Sequence, residues 1–185
     1  MCTYISAIIP KGADLERLST IAGSFGKDIR PFGNASIQSQ LRRDEALFLT
    51  TKGHCDCGSA LGSDRHRRRK VRDLDNERAK LAKKGWSTGK IEKALSQRAE
   101  HIVAEEQDLN SQIGKDLDSW LGFLRNALTS GSTPYVGLLT HHYSGNIEAE
   151  AVQVSAEKDI GAVTLDHATL TGVDEDVIYR ISPHA

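Results

Sequence analysis

The sequence predicts an α+β fold: a small, mostly antiparallel or mixed sheet with one short helix, plus a long inserted antiparallel helical hairpin packing partly on that sheet. Three observations predict it. Short apolar runs, bounded by Pro and Gly, lie towards both ends of the chain. A proline-free, charge-dense stretch fills the middle, from about residue 64 to 128. Within it Ile91, Ile102, Ile113 and Leu124 recur every eleven residues, a step of about 3.67 residues per turn that keeps one face of a straight helix apolar.

The elements follow in order. Residues 3–9 form a short apolar run with Tyr4, Ile5, Ile8 and Ile9, stopped by Pro10, and read as a buried strand. Asp14 is the N-cap of a helix whose Leu15, Leu18, Ile21 and Phe25 share a face, and Gly26 ends it. Residues 28–40, broken by Pro31 and Gly33, read as irregular to extended. Leu47–Thr51 is a strand that runs into a glycine-bracketed turn, Gly53-His54-Cys55-Asp56-Cys57-Gly58. Val71, Leu74 and Leu81 mark the first arm of the hairpin, and Gly85 followed by Ser87 or Thr88 reads as a stop and restart.

The second arm is about 40 residues, or ~60 Å. Its first half pairs with the shorter arm. Its second half, with Leu117, Trp120, Leu121, Phe123, Leu124 and Leu128, is apolar enough to lie on the sheet. Tyr135–Tyr143, the alternating 149–155 and Val177–Ile181 read as strands, and 160–175 has no clear period. The expected division is a core domain of 1–63 with 130–185, interrupted by a hairpin at 64–129.

Charge is sorted along the chain. The formal net charge is −1. Residues 65–98 nevertheless carry thirteen Lys or Arg against four acids, while the remaining 151 residues carry eleven against twenty-one. A uniformly basic nucleic-acid binder is excluded; a local basic arm is not. Arg67, Arg68, Arg69, Arg72, Lys80, Lys83 and Lys84 are the expected partner-binding residues. An acidic protein surface is the first expected partner and nucleic acid the alternative. Only Trp86 interleaves the basic run, which disfavours base stacking. A half-covered apolar stripe also invites homodimerisation through the hairpin.

Three cysteines, Cys2, Cys55 and Cys57, are too few and too unevenly placed for a disulfide framework. Thiolate and imidazole are preferred zinc ligands, so His54, Cys55 and Cys57, joined by His141 from the strand His141-His142-Tyr143, form a candidate metal set. The plain alternative is that small buried cysteines pack a tight turn. His54 is also placed to act as the base of a reactive thiol. Cys2 reads as the start of a strand; exposed as a terminal residue it would be a nucleophile with its own amine as base.

No phosphate-binding glycine loop or nucleophile elbow is present and no spaced carboxylate pair can be placed in a cleft, so the sequence leans against catalysis without deciding the question. No signal-like or membrane-spanning run occurs, so a cytoplasmic protein without membrane contact is the expectation. The leading functional expectation is a non-catalytic interaction protein (adaptor, inhibitor or immunity-type module) acting through the basic hairpin. Nucleic-acid binding by the same arm, and a metal-binding or thiol-dependent enzyme centred on His54, Cys55 and Cys57, are the alternatives.

Overall fold

A computed structural model of the protein describes residues 1–61 and 74–184. In chain order the elements are β1 (Cys2–Pro10), α1 (Leu15–Ser24), β2 (Arg30–Pro31), α2 (Ala35–Gln38), β3 (Glu45–Leu49), α3 (Leu74–Lys83), α4 (Thr88–Thr129), β4 (Val136–Tyr143), β5 (Ala156–Gly161), α5 (His167–Thr171) and β6 (Val177–Ser182). Among the described residues the strands form one mixed sheet, ordered β2-β3-β1-β4-β6-β5. β5 runs parallel to β6, and the other neighbouring strands pair antiparallel. No helix among the described residues is long and apolar enough to cross a membrane.

The sheet is apolar on both faces. Alternation along β1 sends Ile5, Ala7 and Ile9 to one face and Ile8 to the other. On the first face α1 and the second half of α4 build the larger core, with Leu18, Ala22, Leu117, Trp120, Phe123, Leu124 and Ala127. Asp14 caps α1 by accepting the Arg17 N–H at 3.0 Å. The end of α1 meets α4 so closely that a Cβ on Gly122 would lie 2.2 Å from the Phe25 ring.

On the second face Ile8, Leu47, Leu49, Leu139 and Ile178 pack with Phe32, Ile37, Tyr143 and Val152. The cover there is α2 and the segment around 147–154, joined mainly by side-chain amides. Asn34 donates to the carbonyls of Ile147 and Glu150, at 2.8 and 2.9 Å. Gln40 donates to the Val152 carbonyl at 2.8 Å and accepts the Val154 N–H at 2.9 Å.

Several expectations need correction. The long helical hairpin is not what the described residues form. α3 has ten residues, so the element is one 42-residue helix, α4, with a short helix on its first turns. The antiparallel contact is held by Arg78–Glu92 (3.0 Å) and Arg98–Glu77 (2.8 Å), above the buried Ile91 and Leu95. Gly85 does end α3's turn, at φ +78°. Residues 149–155 are not a strand, although they alternate. Gln40 and Ser36 side chains take the hydrogen bonds that a neighbouring strand would make, and the strand follows as β5. The irregular 28–40 contains β2 and α2, and the unassigned 160–175 contains α5.

Candidate metal centre

β1 is longer than its partner β3. The ladder between them runs from Pro10–Glu45 to Ser6–Leu49, which leaves Thr3–Ile5 to find other partners. The residues after β3 turn back along this edge and supply them. Thr50 donates its N–H to the Ile5 carbonyl at 3.1 Å, and Asp56 donates its N–H to the Thr3 carbonyl at 2.8 Å. The Asp56 carboxylate accepts the Ile5 N–H at 2.8 Å and the Thr51 hydroxyl. The last free donor of this edge, the Thr3 N–H, points at Cys57 Sγ, 3.2 Å away. Asp56 therefore serves the backbone, and its position between two cysteines fixes which way they face. Burial pushes its carboxyl up from the ordinary value, against the lowering effect of Thr51, the Ile5 N–H and Lys27.

The far end of the turn is tied to α4. Asp116 accepts the Ser59 hydroxyl and the Ala60 N–H, both at 2.8 Å, and pairs with Lys27 at 2.7 Å. The Trp120 indole donates to Ser59 Oγ at 3.2 Å. The turn is thus clamped between the sheet edge and the large core.

This folding brings Cys2, Cys55 and Cys57 together, with all three sulfurs within 4.8 Å of one another. All three are free thiols; Cys57 is exposed and the other two are half-buried. The Thr3 N–H and a hydrogen bond with Cys55 lower the Cys57 thiol below its ordinary value. Cys55 receives the Cys57 N–H, which lowers it. The proton shared with Cys57, burial and the neighbouring negative charge outweigh that and push it up. The neighbouring pair is polarised: the thiol of Cys57 ionises more readily than an ordinary thiol and that of Cys55 less readily. The Tyr4 hydroxyl lies over the same turn and donates to the His54 carbonyl at 2.8 Å.

The expected ligand set is only half present. Cys55 and Cys57 face one point, but the third member is Cys2. His54 is exposed and contributes its carbonyl to Tyr4. His141 stands opposite Tyr4 on β4 and has another partner, Asp176 Oδ1, 2.6 Å from its Nδ1. Neither histidine belongs to the thiol group. Among the expected partner-binding residues, Arg67, Arg68, Arg69 and Arg72 lie outside the described residues. Lys80 and Lys83 occupy the last turn of α3 and Lys84 follows it, all three exposed.

No protein-family model, curated protein or solved structure matches the chain. The chemistry rests on the donors themselves. Three sulfurs sharing one ion at about 2.3 Å would stand about 3.8 Å apart in tetrahedral geometry. A separation within 4.8 Å is about one ångström from that, within reach of a rotamer adjustment in a surface turn. No other His, Cys, Asp or Glu side chain joins the group among the described residues.

Proposed function

We propose that the protein binds a soft d10 ion, Zn(II) or Cu(I), through the thiolates of Cys2, Cys55 and Cys57, with the fourth position open to an exchangeable ligand. The observation that carries this reading is the convergence of all three cysteines of the chain, with Cys2 and Cys55 53 positions apart, at one point beside the start of β1. Structural burial of small side chains does not account for it, because Cys57 is exposed. Thiolate selects soft ions over Mg(II) or Ca(II). Three protein ligands with one open position describe a site that exchanges water or substrate, whereas closed structural zinc sites use four.

The test is the metal content of tag-free protein purified without chelator, followed by thiol counting. One equivalent of metal, with all three thiols protected from alkylation until a chelator is added, supports the reading. Three freely reactive thiols in the presence of excess Zn(II), or a disulfide formed under mild oxidation with no metal uptake, overturns it.

A second reading concerns the basic arm. Lys80, Lys83 and Lys84 are exposed and have no ion-pair partner among the described residues. This favours docking of the α3 end on an acidic protein face, in the manner of an adaptor. Substituting all three by Glu abolishes recovery of such a partner if the reading holds. Unchanged recovery across a salt series removes it.

A further inference from the structure

β4 ends in His141-His142-Tyr143. Alternation puts His141 and Tyr143 on the face that carries Tyr4, and His141 lies against residues just before β6. Asp176 adopts φ 59°, a left-handed conformation that Asp tolerates better than most residues, and its N–H is held by the Thr140 carbonyl at 3.0 Å. His141 Nδ1 lies 2.6 Å from Asp176 Oδ1 and 3.8 Å from Glu175 Oε1; Nε2 lies 3.7 Å from Glu150 Oε1. A ring nitrogen of His141 and carboxylate oxygens of Glu175 and Asp176 fall within 4.8 Å of one another.

Three carboxylates therefore face one half-buried imidazole. Glu150 is fixed by the N–H groups of Gly145 and Ser144, both at 2.9 Å. Glu175 accepts the His142 N–H at 2.9 Å. These donors hold Glu150 below its ordinary carboxylate value, and for Glu175 they outweigh the upward push of burial.

The independent observation is Tyr143. It is 2% exposed, and its hydroxyl has no hydrogen-bond partner; His141 Nε2 also has none. The Tyr143 ring meets the His141 ring edge-on at 4.5 Å, and burial, with the charges of Glu150 and Asp176, pushes its hydroxyl well above the ordinary value. A buried hydroxyl without a partner costs about 1–3 kcal/mol, a cost that a bound group in this cluster removes.

We propose that His141, Glu175 and Asp176 form a second cation site, for a hard or borderline first-row divalent ion such as Mn(II) or Zn(II), with Glu150 and the Tyr143 hydroxyl lining it. Donor atoms on one such ion at about 2.1 Å stand about 3.0–3.4 Å apart. The observed 2.6 and 3.8 Å bracket that range. The site is chemically separate from the thiols, since its nitrogen and oxygen donors accept Mn(II), which thiolates do not prefer. The two sites are linked through rings, with Tyr4 against Tyr143 at 5.7 Å and Tyr143 against His141.

The experiment is Mn(II) titration of the full chain, read by electron paramagnetic resonance. The same titration is run on the triple variant Cys2→Ser, Cys55→Ser, Cys57→Ser, so that failure of the thiol site leaves this result intact. One Mn(II) per chain is expected in both proteins, with at least tenfold weaker binding in Asp176→Asn and Glu175→Gln. In the wild type, Mn(II) broadens the His141 imidazole resonances first, a readout that needs no variant to fold. Absence of both Mn(II) and Zn(II) binding to the triple variant overturns the proposal. So does broadening centred away from His141, or affinity unchanged by either carboxamide substitution.

Discussion

The same face of the sheet carries a polar cluster at each end, and the two are built to different standards. At the Pro10 end of β1, Arg180 reaches from β6 to Glu45 on β3. It donates Nε to Oε1 at 2.7 Å and Nη2 to Oε2 at 3.0 Å, and the pair is almost fully buried. Gly137, opposite Arg180 on β4, packs so close to Ile8 that a Cβ would lie 2.9 Å from its side chain. The Tyr135 hydroxyl donates to Glu45 at 2.8 Å, and Glu157 takes the remaining guanidinium edge. At the Cys2 end, three thiols converge, and the Tyr143 hydroxyl and His141 Nε2 have no hydrogen-bond partner. Native interiors pair nearly all their buried polar groups. One end of this sheet obeys that rule with its own residues. The other leaves donors and acceptors converging on open points, which is the physical ground for assigning ligands there.

The largest expected effect is at the paired end. Arg180→Met leaves Glu45 buried without its counter-charge and should cost about 3–5 kcal/mol in urea unfolding; a loss below about 1 kcal/mol would show that the pair is not buried as described. The acid limb follows from the same group. Burial raises the Glu45 carboxyl, but Arg180, the Arg42 N–H and Tyr135 outweigh it and hold it below its ordinary value. Its contribution is therefore present above the unfolded value, about 4.3, and is lost as pH falls through the lower folded value. Stability followed from pH 6 downward should drop below about pH 4.3, and the drop attributable to this group should be absent in Glu45→Gln.

Next in size is the amide clamp on the same face. Gln40→Ala strands the Val152 carbonyl and the Val154 N–H, at a cost of about 1–3 kcal/mol, with faster hydrogen exchange at Val154. The smallest effect is expected at the unpaired end. Tyr143→Phe removes a hydroxyl that bonds to nothing, so the metal-free protein should change by less than about 1 kcal/mol or gain stability. A large loss there would mean that the hydroxyl is already satisfied, and the contrast between the two ends would fail.

Much of this architecture was legible in the sequence where one local pattern decides an element. Asp14 caps α1, Gly85 ends the turn after α3, and the apolar second half of α4 lies on the sheet because Trp120, Phe123 and Leu124 have no other surface to bury against. The false strand at 149–155 shows the limit. Its alternation is real, but long-range Gln40 and Ser36 side chains take its hydrogen bonds, and no local period reports that.

The thiol site was half legible. Cys55 and Cys57 stand out by spacing, whereas Cys2 enters only through register. Antiparallel pairing of β1 with β3 carries the turn after β3 back to the start of β1, so a paired-strand argument from Ile9–Ala46 to Ser6–Leu49 could have found it. His141 lies apart from the thiols, and adjacency in sequence does not show that Asp176, on the turn before β6, stands against its Nδ1.

The most direct test of the account is a Cd(II) titration of reduced wild-type protein, followed by thiolate-to-metal charge-transfer absorption. The account predicts a band that saturates at one ion per chain, is lost or strongly weakened in each of Cys2→Ser, Cys55→Ser and Cys57→Ser, and is untouched in His54→Ala. A band that persists without Cys2, or no band at all with three titratable thiols, would contradict it.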